Sequence, residues 1–251
     1  MIDVSKIIPS ENVIIKDKLL LLICNTYSKT DLELGEPVYN DCVMISNCYQ
    51  SHGYQSIMVR DVNMKCCVEW LIMLSKIKFT DVVIYYSGHG TTIEQHQQHK
   101  AQKRFKKKVG IDSLKFVDDE EIDSAYVFYD YEEDRSELLC DDIVTQLMML
   151  FVTTPFVISD CCHSGTIIDS TNPLTKETFN HQHKLQYMSA CMDNQYALQT
   201  HNNGLFTSYI CKHFETRSPT KLIRTFNEKY KDIVNQTAQG MINETRQKMW
   251  I

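Results

Sequence analysis

Short, uninterrupted apolar runs alternate with amphipathic stretches along this chain. The runs end at polar residues and have the length of strands, so they predict strands whose two faces are both covered. Between the runs, apolar residues recur at helical spacing, which predicts helices with one buried face. The predicted strands cover Lys18–Cys24, Tyr54–Arg60, Asp81–Tyr86, Ala125–Tyr131, Pro155–Asp160 and Lys184–Cys191, and the predicted helices cover Asn40–His52, Met64–Lys76, Ser136–Met149, Gly204–Phe214 and Thr220–Gln236.

Short connections join the first three predicted strands through two helices. This order predicts an α/β fold in which a mostly parallel sheet has helices on both faces. Two helix starts carry their own signal. Asn63 is a predicted N-cap, and Ser218 is a predicted N-cap followed by a proline that suits the first helical turn.

Five stretches lack a regular pattern. Residues 1–18 predict a loose lead-in, and the segment from Thr237 onward predicts a tail without a defined element. Asn25–Pro37 predicts a loop punctuated by glycine and proline. Thr91–Asp118 is long and polar, which predicts a surface insertion, and Thr166–His183 predicts a second surface loop.

Composition narrows the class of protein. A chain of 251 residues with 43% hydrophobic residues can form one α/β domain with a large core. The net charge of −6 argues against a general nucleic-acid binder and favours a cationic substrate or a metal ion. Ten scattered cysteines without a C-x-x-C motif predict a reducing, intracellular compartment. No signal-peptide pattern and no membrane-spanning run are visible, so we expect a soluble, cytoplasmic protein without membrane contact.

Two of the apolar runs stop at reactive residues. Phe156–Ile158 leads into Asp-Cys-Cys-His-Ser-Gly at Asp160–Gly165, and Val82–Tyr86 leads into Ser-Gly-His-Gly at Ser87–Gly90. Ligands of open α/β sheets bind at the carboxyl ends of the strands. The sequence therefore predicts that a cysteine and a histidine meet at one edge, as a cysteine peptidase needs.

These two motifs, in this order and at strand ends, resemble those of the metacaspases, which are caspase-fold cysteine peptidases of clan CD (family C14). Asn40-Asp41 and Met188–Gln195 resemble two further family elements. The resemblance covers nearly the whole chain and is closest to a type I metacaspase without a prodomain. It implies a caspase-like fold over residues 1–251 as a single domain, with a p20-like region at about 1–165, a connecting loop at 166–183 and a p10-like region at about 184–251.

The resemblance assigns the catalytic dyad to Cys162 and His89. Cys161 is the rival nucleophile, but the alternation of side chains along a strand should point it the other way. His89 would activate the thiol and protonate the leaving amine. The backbone N–H groups of Gly90 and Cys162 are the expected oxyanion donors.

The resemblance also implies the pocket that binds the residue before the cleaved bond (S1). It places Asp41 and Asp160 there, with Ser87 beside them. Two carboxylates in one pocket repel each other, and an Arg or Lys side chain relieves that repulsion. We therefore expect protein and peptide substrates that are cleaved after Arg or Lys.

Calcium is the cofactor that the family implies. Matching its motif gives Asp123, Asp141, Asp142 and Asp169 as expected ligands, and hard carboxylate oxygens suit Ca²⁺. Without the resemblance, a solvated acidic surface is the simpler interpretation. In an enzyme of this specificity, Lys176 and Lys184 are candidate positions of self-cleavage.

The leading hypothesis is thus a calcium-stimulated, Arg/Lys-specific cysteine endopeptidase, which by resemblance is a monomer. Two alternatives stay open at this point. One is a calcium-independent, paracaspase-like peptidase of the same clan. The other is a caspase-fold protein without proteolytic activity that binds other proteins or handles aggregates.

Overall fold

The computed structural model describes most of the chain, and the described residues include ten strands and five helices. The described residues are 1–7, 9, 15–94, 102–103, 105–106, 122–129, 138–168, 185–242 and 246–250. Their strands are β1 (Ile2–Asp3), β2 (Lys18–Cys24), β3 (Gln55–Arg60), β4 (Asp81–Ser87), β5 (Gly90–Glu94), β6 (Ile122–Val127), β7 (Leu138–Cys140), β8 (Phe156–Asp160), β9 (Gln186–Ser189) and β10 (Gln239–Met241). Their helices are α1 (Glu36–Gln50), α2 (Met64–Ser75), α3 (Asp141–Met149), α4 (Leu205–His213) and α5 (Pro219–Val234).

Seven strands form the central sheet, in the order β1-β3-β2-β4-β8-β9-β10. All neighbours are parallel except β9 and β10. Successive side chains of β2 enter opposite core clusters: Leu21 packs on the side of α2 and α3, and Leu22 packs on the side of α1, α4 and α5. The predicted α/β fold with a mostly parallel sheet is confirmed.

Two helix starts follow the local signals predicted from the sequence. The Asn63 side chain accepts a hydrogen bond from the backbone N–H of Cys66 at 2.8 Å, and the Ser218 hydroxyl caps α5 in the same way. The expected start of α1 at Asn40 is wrong, because Pro37 occupies the first turn of the helix instead of ending a loop. Among the described residues, no helix is both long enough and apolar enough to cross a membrane.

A second, antiparallel sheet of β5, β6 and β7 corrects two predictions. Thr91–Asp118 begins as strand β5 and not as an irregular insertion, although most of that stretch lies outside the described residues. The predicted helix from Ser136 begins only at Asp141. Leu138–Cys140 is extended because it pairs with β6, for instance Leu139 opposite Tyr126.

Both chain ends also contribute strands that the sequence pattern did not reveal. Ile2 in the expected lead-in lies opposite Ile57 of β3. Gln239 in the expected tail lies opposite Ser189 of β9. These strands have two and three residues, so they are too short to show an alternating pattern, and their pairing partners define them.

Candidate active site

The carboxyl ends of three neighbouring strands bring the candidate site together. Cys24 of β2 lies opposite Ser87 of β4, and Ser87 lies opposite Asp160 of β8. Since His89 and Cys162 each follow two residues later, parallel register delivers both to one edge of the sheet. The pocket at this edge has a volume of about 130 Å³. Its lining includes Asp41, Ser87, Gly88, His89, Asp160, Cys162, Ala197, Leu198, Gln199 and Gly204.

The two adjacent cysteines differ in their surroundings. Cys161 is only 2% exposed and packs in the core cluster beneath α2 and α3. Burial raises the pKa of its thiol well above the usual range. Both cysteines line the pocket, but only Cys162 is partly exposed. Burial and then the nearby Asp160 raise the pKa of the Cys162 thiol, while the N–H groups of Ala197 and of Cys162 itself oppose this effect.

One ring nitrogen of His89 forms a hydrogen bond with the protein, and the other can accept a proton. Its Nε2 lies 2.9 Å from the carbonyl oxygen of Leu32. Because a carbonyl only accepts, Nε2 carries the hydrogen in the neutral ring, and Nδ1 keeps its lone pair. Burial lowers the pKa of the imidazole, against the opposing effect of the Leu32 carbonyl. The ring is therefore a neutral base near neutral pH.

Two buried carboxyls face each other across a glycine. The backbone N–H of Gly204 donates to both oxygens of Asp41, at 2.9 and 3.0 Å. Thr207 donates its N–H at 3.1 Å and its hydroxyl at 2.6 Å to Oδ2 of Asp160. A Cβ on Gly204 would lie 2.5 Å from Oδ2 of Asp160 and 2.9 Å from Oδ2 of Asp41. Only glycine leaves room for both acids here.

Burial and mutual repulsion change the protonation of this pair. Desolvation, followed by the charge of Asp160, raises the pKa of Asp41 to about 8. Desolvation also raises the pKa of Asp160, although the two Thr207 hydrogen bonds favour its ionised form. At neutral pH the pair therefore carries about one negative charge and one proton. Ser87, which is 2% exposed, lies in the same pocket.

Gly90 approaches the backbone of the candidate nucleophile closely. A Cβ at this position would lie 1.9 Å from the carbonyl oxygen of Cys162. The start of β5 can therefore lie against the end of β8 only because residue 90 has no side chain. This places the Gly90 main chain next to Cys162, where an oxyanion donor is expected.

His163 does not line the pocket and instead contacts the segment after β9. Its φ of 50° is left-handed, and its backbone N–H donates to the carbonyl of Gln195 at 3.2 Å. Its Nδ1 contacts the carbonyl oxygen of Asp193, and its ring packs edge-on against Tyr196. These contacts join the turn after β8 to the segment after β9.

Two of the four expected calcium ligands, Asp123 and Asp141, lie close together outside the pocket. Asp123 of β6 and Asp141 of α3 form a buried cluster with Cys140, with ligand atoms within 4.8 Å of one another. Burial, followed by repulsion from Asp123, raises the pKa of Asp141 well above its usual range. Asp142 is the next residue and is also buried. The fourth expected ligand, Asp169, lies outside the described residues.

Several residues of the site were not identified from the sequence. The Leu32 carbonyl, Gly204 and Thr207 each come from segments without a recognisable motif, and Cys140 of the acidic cluster looked like a core residue. A signal existed for one of them: Gly204 is one of only eight glycines and directly precedes a helix.

Comparisons with known proteins agree with this architecture. A family model described as "Caspase domain" (Peptidase_C14) matches residues 17–250. Among solved structures, a crystal structure of protein GSU0716 from Geobacter sulfurreducens superposes with a TM-score of 0.61 at 15% sequence identity. The alignment covers 93% of this chain and 97% of that chain, and at such identity it concerns the fold alone. A comparison with curated protein sequences finds no significant match. The expected caspase-like fold is confirmed.

Proposed function

This chain belongs to the caspase-domain family of cysteine peptidases, and on that basis we propose that it is a metacaspase-like endopeptidase that cleaves after Arg or Lys and is stimulated by calcium. One observation carries the proposal. Cys162 and His89 line the same small pocket as the acidic pair Asp41 and Asp160. A nucleophile, a base and a site for a cation are thus within reach of one bound peptide.

The dyad chemistry follows from the protonation states. His89 accepts the thiol proton of Cys162 on Nδ1, and the thiolate sulfur attacks the carbonyl carbon of the peptide bond. The backbone N–H groups of Gly90 and Cys162 are the proposed donors to the oxyanion that forms. The C–N bond then breaks, and the imidazolium returns its proton to the leaving amine. Water then attacks the resulting thioester while His89 takes one of its protons. The C–S bond breaks, the carboxylic acid of the N-terminal product leaves, and the imidazolium returns the proton to the sulfur, which restores the free thiol.

The acidic pair supports the proposed specificity. A guanidinium or ammonium group that enters the pocket brings a positive charge next to both acids. This charge offsets the desolvation of Asp160 and favours the ionised form of Asp41, which then loses its proton. The cationic group then forms charge-assisted hydrogen bonds with both carboxylates. A substrate with Asp at this position would add a third acid to a buried acidic pair, which is unfavourable.

The donor set of the acidic cluster supports a calcium site. The proposed ligands Asp123, Asp141 and Asp142 offer carboxylate oxygens, the hard donors that Ca²⁺ prefers, and burial, followed by repulsion from Asp123 and then Asp142, raises the pKa of Asp141. When bound, Ca²⁺ would supply the positive charge that lets these acids ionise together. Neighbouring Ser124 donates its hydroxyl to Asp193 at 3.0 Å, so the cluster is already connected to the segment after β9.

The backbone links this cluster to the dyad. Asp123 lies opposite Ile93 in the ladder between β6 and β5, and the same ladder ends at Gly90 opposite Tyr126. Gly90 in turn touches the carbonyl of Cys162. A cation that fixes β6 therefore fixes the strand that lies against the nucleophile.

Hydrolysis of fluorogenic peptides tests the peptidase. The peptides should differ only in the residue before the cleaved bond, with Arg, Lys, Asp or a neutral aliphatic residue. We expect cleavage after Arg and Lys alone, abolished by Cys162→Ala and largely retained in Cys161→Ala. Activity that survives Cys162→Ala would refute the assigned nucleophile.

Calorimetric titration tests the cation site independently of activity. We expect Ca²⁺ to bind wild-type protein and the inactive Cys162→Ala variant equally, and to bind Asp141→Asn much more weakly. Ca²⁺ should also raise the unfolding temperature of wild-type protein and not that of Asp141→Asn. Equal binding by all three proteins would place the cation elsewhere.

Three expectations lie beyond the described contacts and remain part of the proposal. Self-cleavage is proposed at Lys176 or Lys184, both outside the described residues, and replacing each by Gly tests it. A monomeric state and a reducing, intracellular compartment stay predictions, which sedimentation and subcellular fractionation would check.

A further inference from the structure

Two buried tyrosine hydroxyls hold the main chain of His89 from opposite sides. The backbone N–H of His89 donates to the hydroxyl of Tyr27 at 2.9 Å. The hydroxyl of Tyr86 donates to the backbone carbonyl of His89 at 2.7 Å. The Tyr27 ring also packs against the imidazole, with centroids 4.8 Å apart. Tyr27 therefore contacts both the backbone and the ring of the proposed base.

Hydrogen bonds hold both the backbone and the side chain of Tyr27 in place. It has a left-handed φ of 54°, which is unfavourable for a bulky side chain. The carboxylate of Asp61 accepts the backbone N–H groups of Thr26 at 2.6 Å and of Tyr27 at 2.8 Å, and so stabilises this conformation. The Tyr27 hydroxyl donates its own proton to the carbonyl of Val127 at 2.8 Å.

The same loop also supplies the acceptor for the ring of His89. The Tyr27 carbonyl accepts hydrogen bonds from the N–H and the hydroxyl of Thr30, at 3.1 and 2.8 Å. The Thr30 hydroxyl in turn accepts the N–H of Leu32 at 3.2 Å. The Leu32 carbonyl then receives Nε2–H of His89. One loop thus sets both the position of the His89 backbone and the direction in which its ring points.

We propose that Tyr27 is the positioning residue of His89. Its hydroxyl, in the loop that Asp61 stabilises, keeps the imidazole in the Nε2–H tautomer with Nδ1 turned to the thiol. The effect of Tyr27 on catalysis rests on the proposed peptidase function. Burial raises the pKa of the Tyr27 phenol far above its usual value, so the hydroxyl stays protonated and takes no part in proton transfer. Tyr86 secures the opposite side of the same residue.

The decisive variant is Tyr27→Phe, which keeps the ring contact and removes only the hydroxyl. We expect kcat to fall at least about tenfold with KM nearly unchanged, because small displacements of a catalytic group reduce rates strongly. Asp61→Ala should act in the same direction without altering the hydroxyl. Tyr49→Phe is the matched control, since its buried hydroxyl also donates to a carbonyl, that of Met249 at 3.0 Å, on the other face of the sheet.

Nitrogen NMR of histidine-labelled protein supplies a readout that needs no activity. The His89 signals are assigned by their absence in His89→Gln. Wild-type protein and Tyr49→Phe should show the Nε2–H tautomer, and Tyr27→Phe should show a mixture of both tautomers. Matching circular dichroism and unfolding temperatures of the two Phe variants confirm that the comparison is made between folded proteins; if Tyr27→Phe does not fold, Asp61→Ala takes its place.

The outcomes separate this inference from the proposed function. A changed tautomer with a lower kcat supports the inference. An unchanged tautomer overturns it even if kcat falls, and an unchanged kcat overturns it even if the tautomer changes. If wild-type protein cleaves no peptide, the peptidase proposal fails by itself, and the NMR comparison still decides whether Tyr27 holds His89.

Discussion

Replacing Asp41 by Asn should stabilise this protein and at the same time weaken its binding of cationic side chains. The substitution keeps the shape of the side chain and one acceptor for the N–H of Gly204. It removes a carboxyl that burial and Asp160 make unfavourable to ionise. Stability and substrate binding are therefore expected to change in opposite directions.

The size of the stability gain follows from the pKa of Asp41, which is raised from 3.8 to about 8. Below pH 4 the carboxyl is protonated in both the folded and the unfolded chain, and the acid costs nothing. As the pH rises from 4 to 8, the unfolded chain releases this proton while the folded chain retains it, so folding loses about 1.4 kcal/mol per pH unit. At pH 7 the loss reaches about 4 kcal/mol as an upper bound.

Asn avoids this loss but gives up one of the two contacts with Gly204, so we expect a net gain of about 2–4 kcal/mol at pH 7. For a protein of this size that corresponds to an unfolding temperature raised by roughly 5 °C or more. Urea unfolding of both proteins at pH 5, 6, 7 and 8 measures the gain directly. The exposed Asp232→Asn on α5 is the matched control and should change little at any pH.

The same proteins should then be compared on an Arg-terminated peptide. We expect kcat/KM of Asp41→Asn to fall because its pocket lacks one of the two negative charges. In wild-type protein, kcat/KM should rise about fivefold between pH 7 and 8 as the carboxyl with a pKa of about 8 ionises. A destabilised Asp41→Asn, or a gain that stays constant from pH 5 to 8, would refute the reasoning.

Three further predictions concern the surroundings of the site and of the sheet. Gly90→Ala should lose nearly all activity while staying folded, because its Cβ would lie 1.9 Å from the Cys162 carbonyl; near-normal kcat would contradict the close approach. Arg246→Ala should cost about 3–5 kcal/mol in urea unfolding, because it leaves the buried Asp81 carboxylate without its cation at 3.2 Å; a loss below about 1 kcal/mol would contradict the pairing. In Asp41→Asn, which lacks the carboxyl with a pKa of about 8, the acid limb of kcat/KM should lie below pH 6.5, since burial lowers the pKa of His89 from that value and the neutral base persists to lower pH; a limb above pH 6.5 in this variant would mean that the imidazolium is stabilised instead.

The parts of the fold with strong local signals could be predicted from the sequence. Strands β2, β4 and β8 are continuous apolar runs that end at polar residues, and parallel order then fixes which ends meet. The placement of His89 and Cys162 in one pocket follows from those two facts. The role of each residue came from the family resemblance, because strand order alone does not distinguish a peptidase dyad from a metal site.

Features that depend on distant partners could not be predicted in this way. β7 is extended because of β6, and β10 because of β9, so neither has a pattern of its own. Gly204 lies 163 residues from Asp41, and only the packing of α4 beside α1 joins them. The raised pKa of Asp41 is likewise a property of that packing.

The order of the central sheet determines what a cut in the connecting segment would do. β8 and β9 are hydrogen-bonded neighbours, yet residues 161–185 separate them along the chain. The piece before such a cut keeps Asp41, and the piece after it keeps Gly204, whose N–H binds that carboxylate. If the two pieces separated, β8 in the first piece and β9 in the second would each lose a hydrogen-bonded neighbour. We therefore expect the two pieces to remain associated noncovalently after the cut. The event would therefore produce two bands on a denaturing gel and a single particle of unchanged mass in solution.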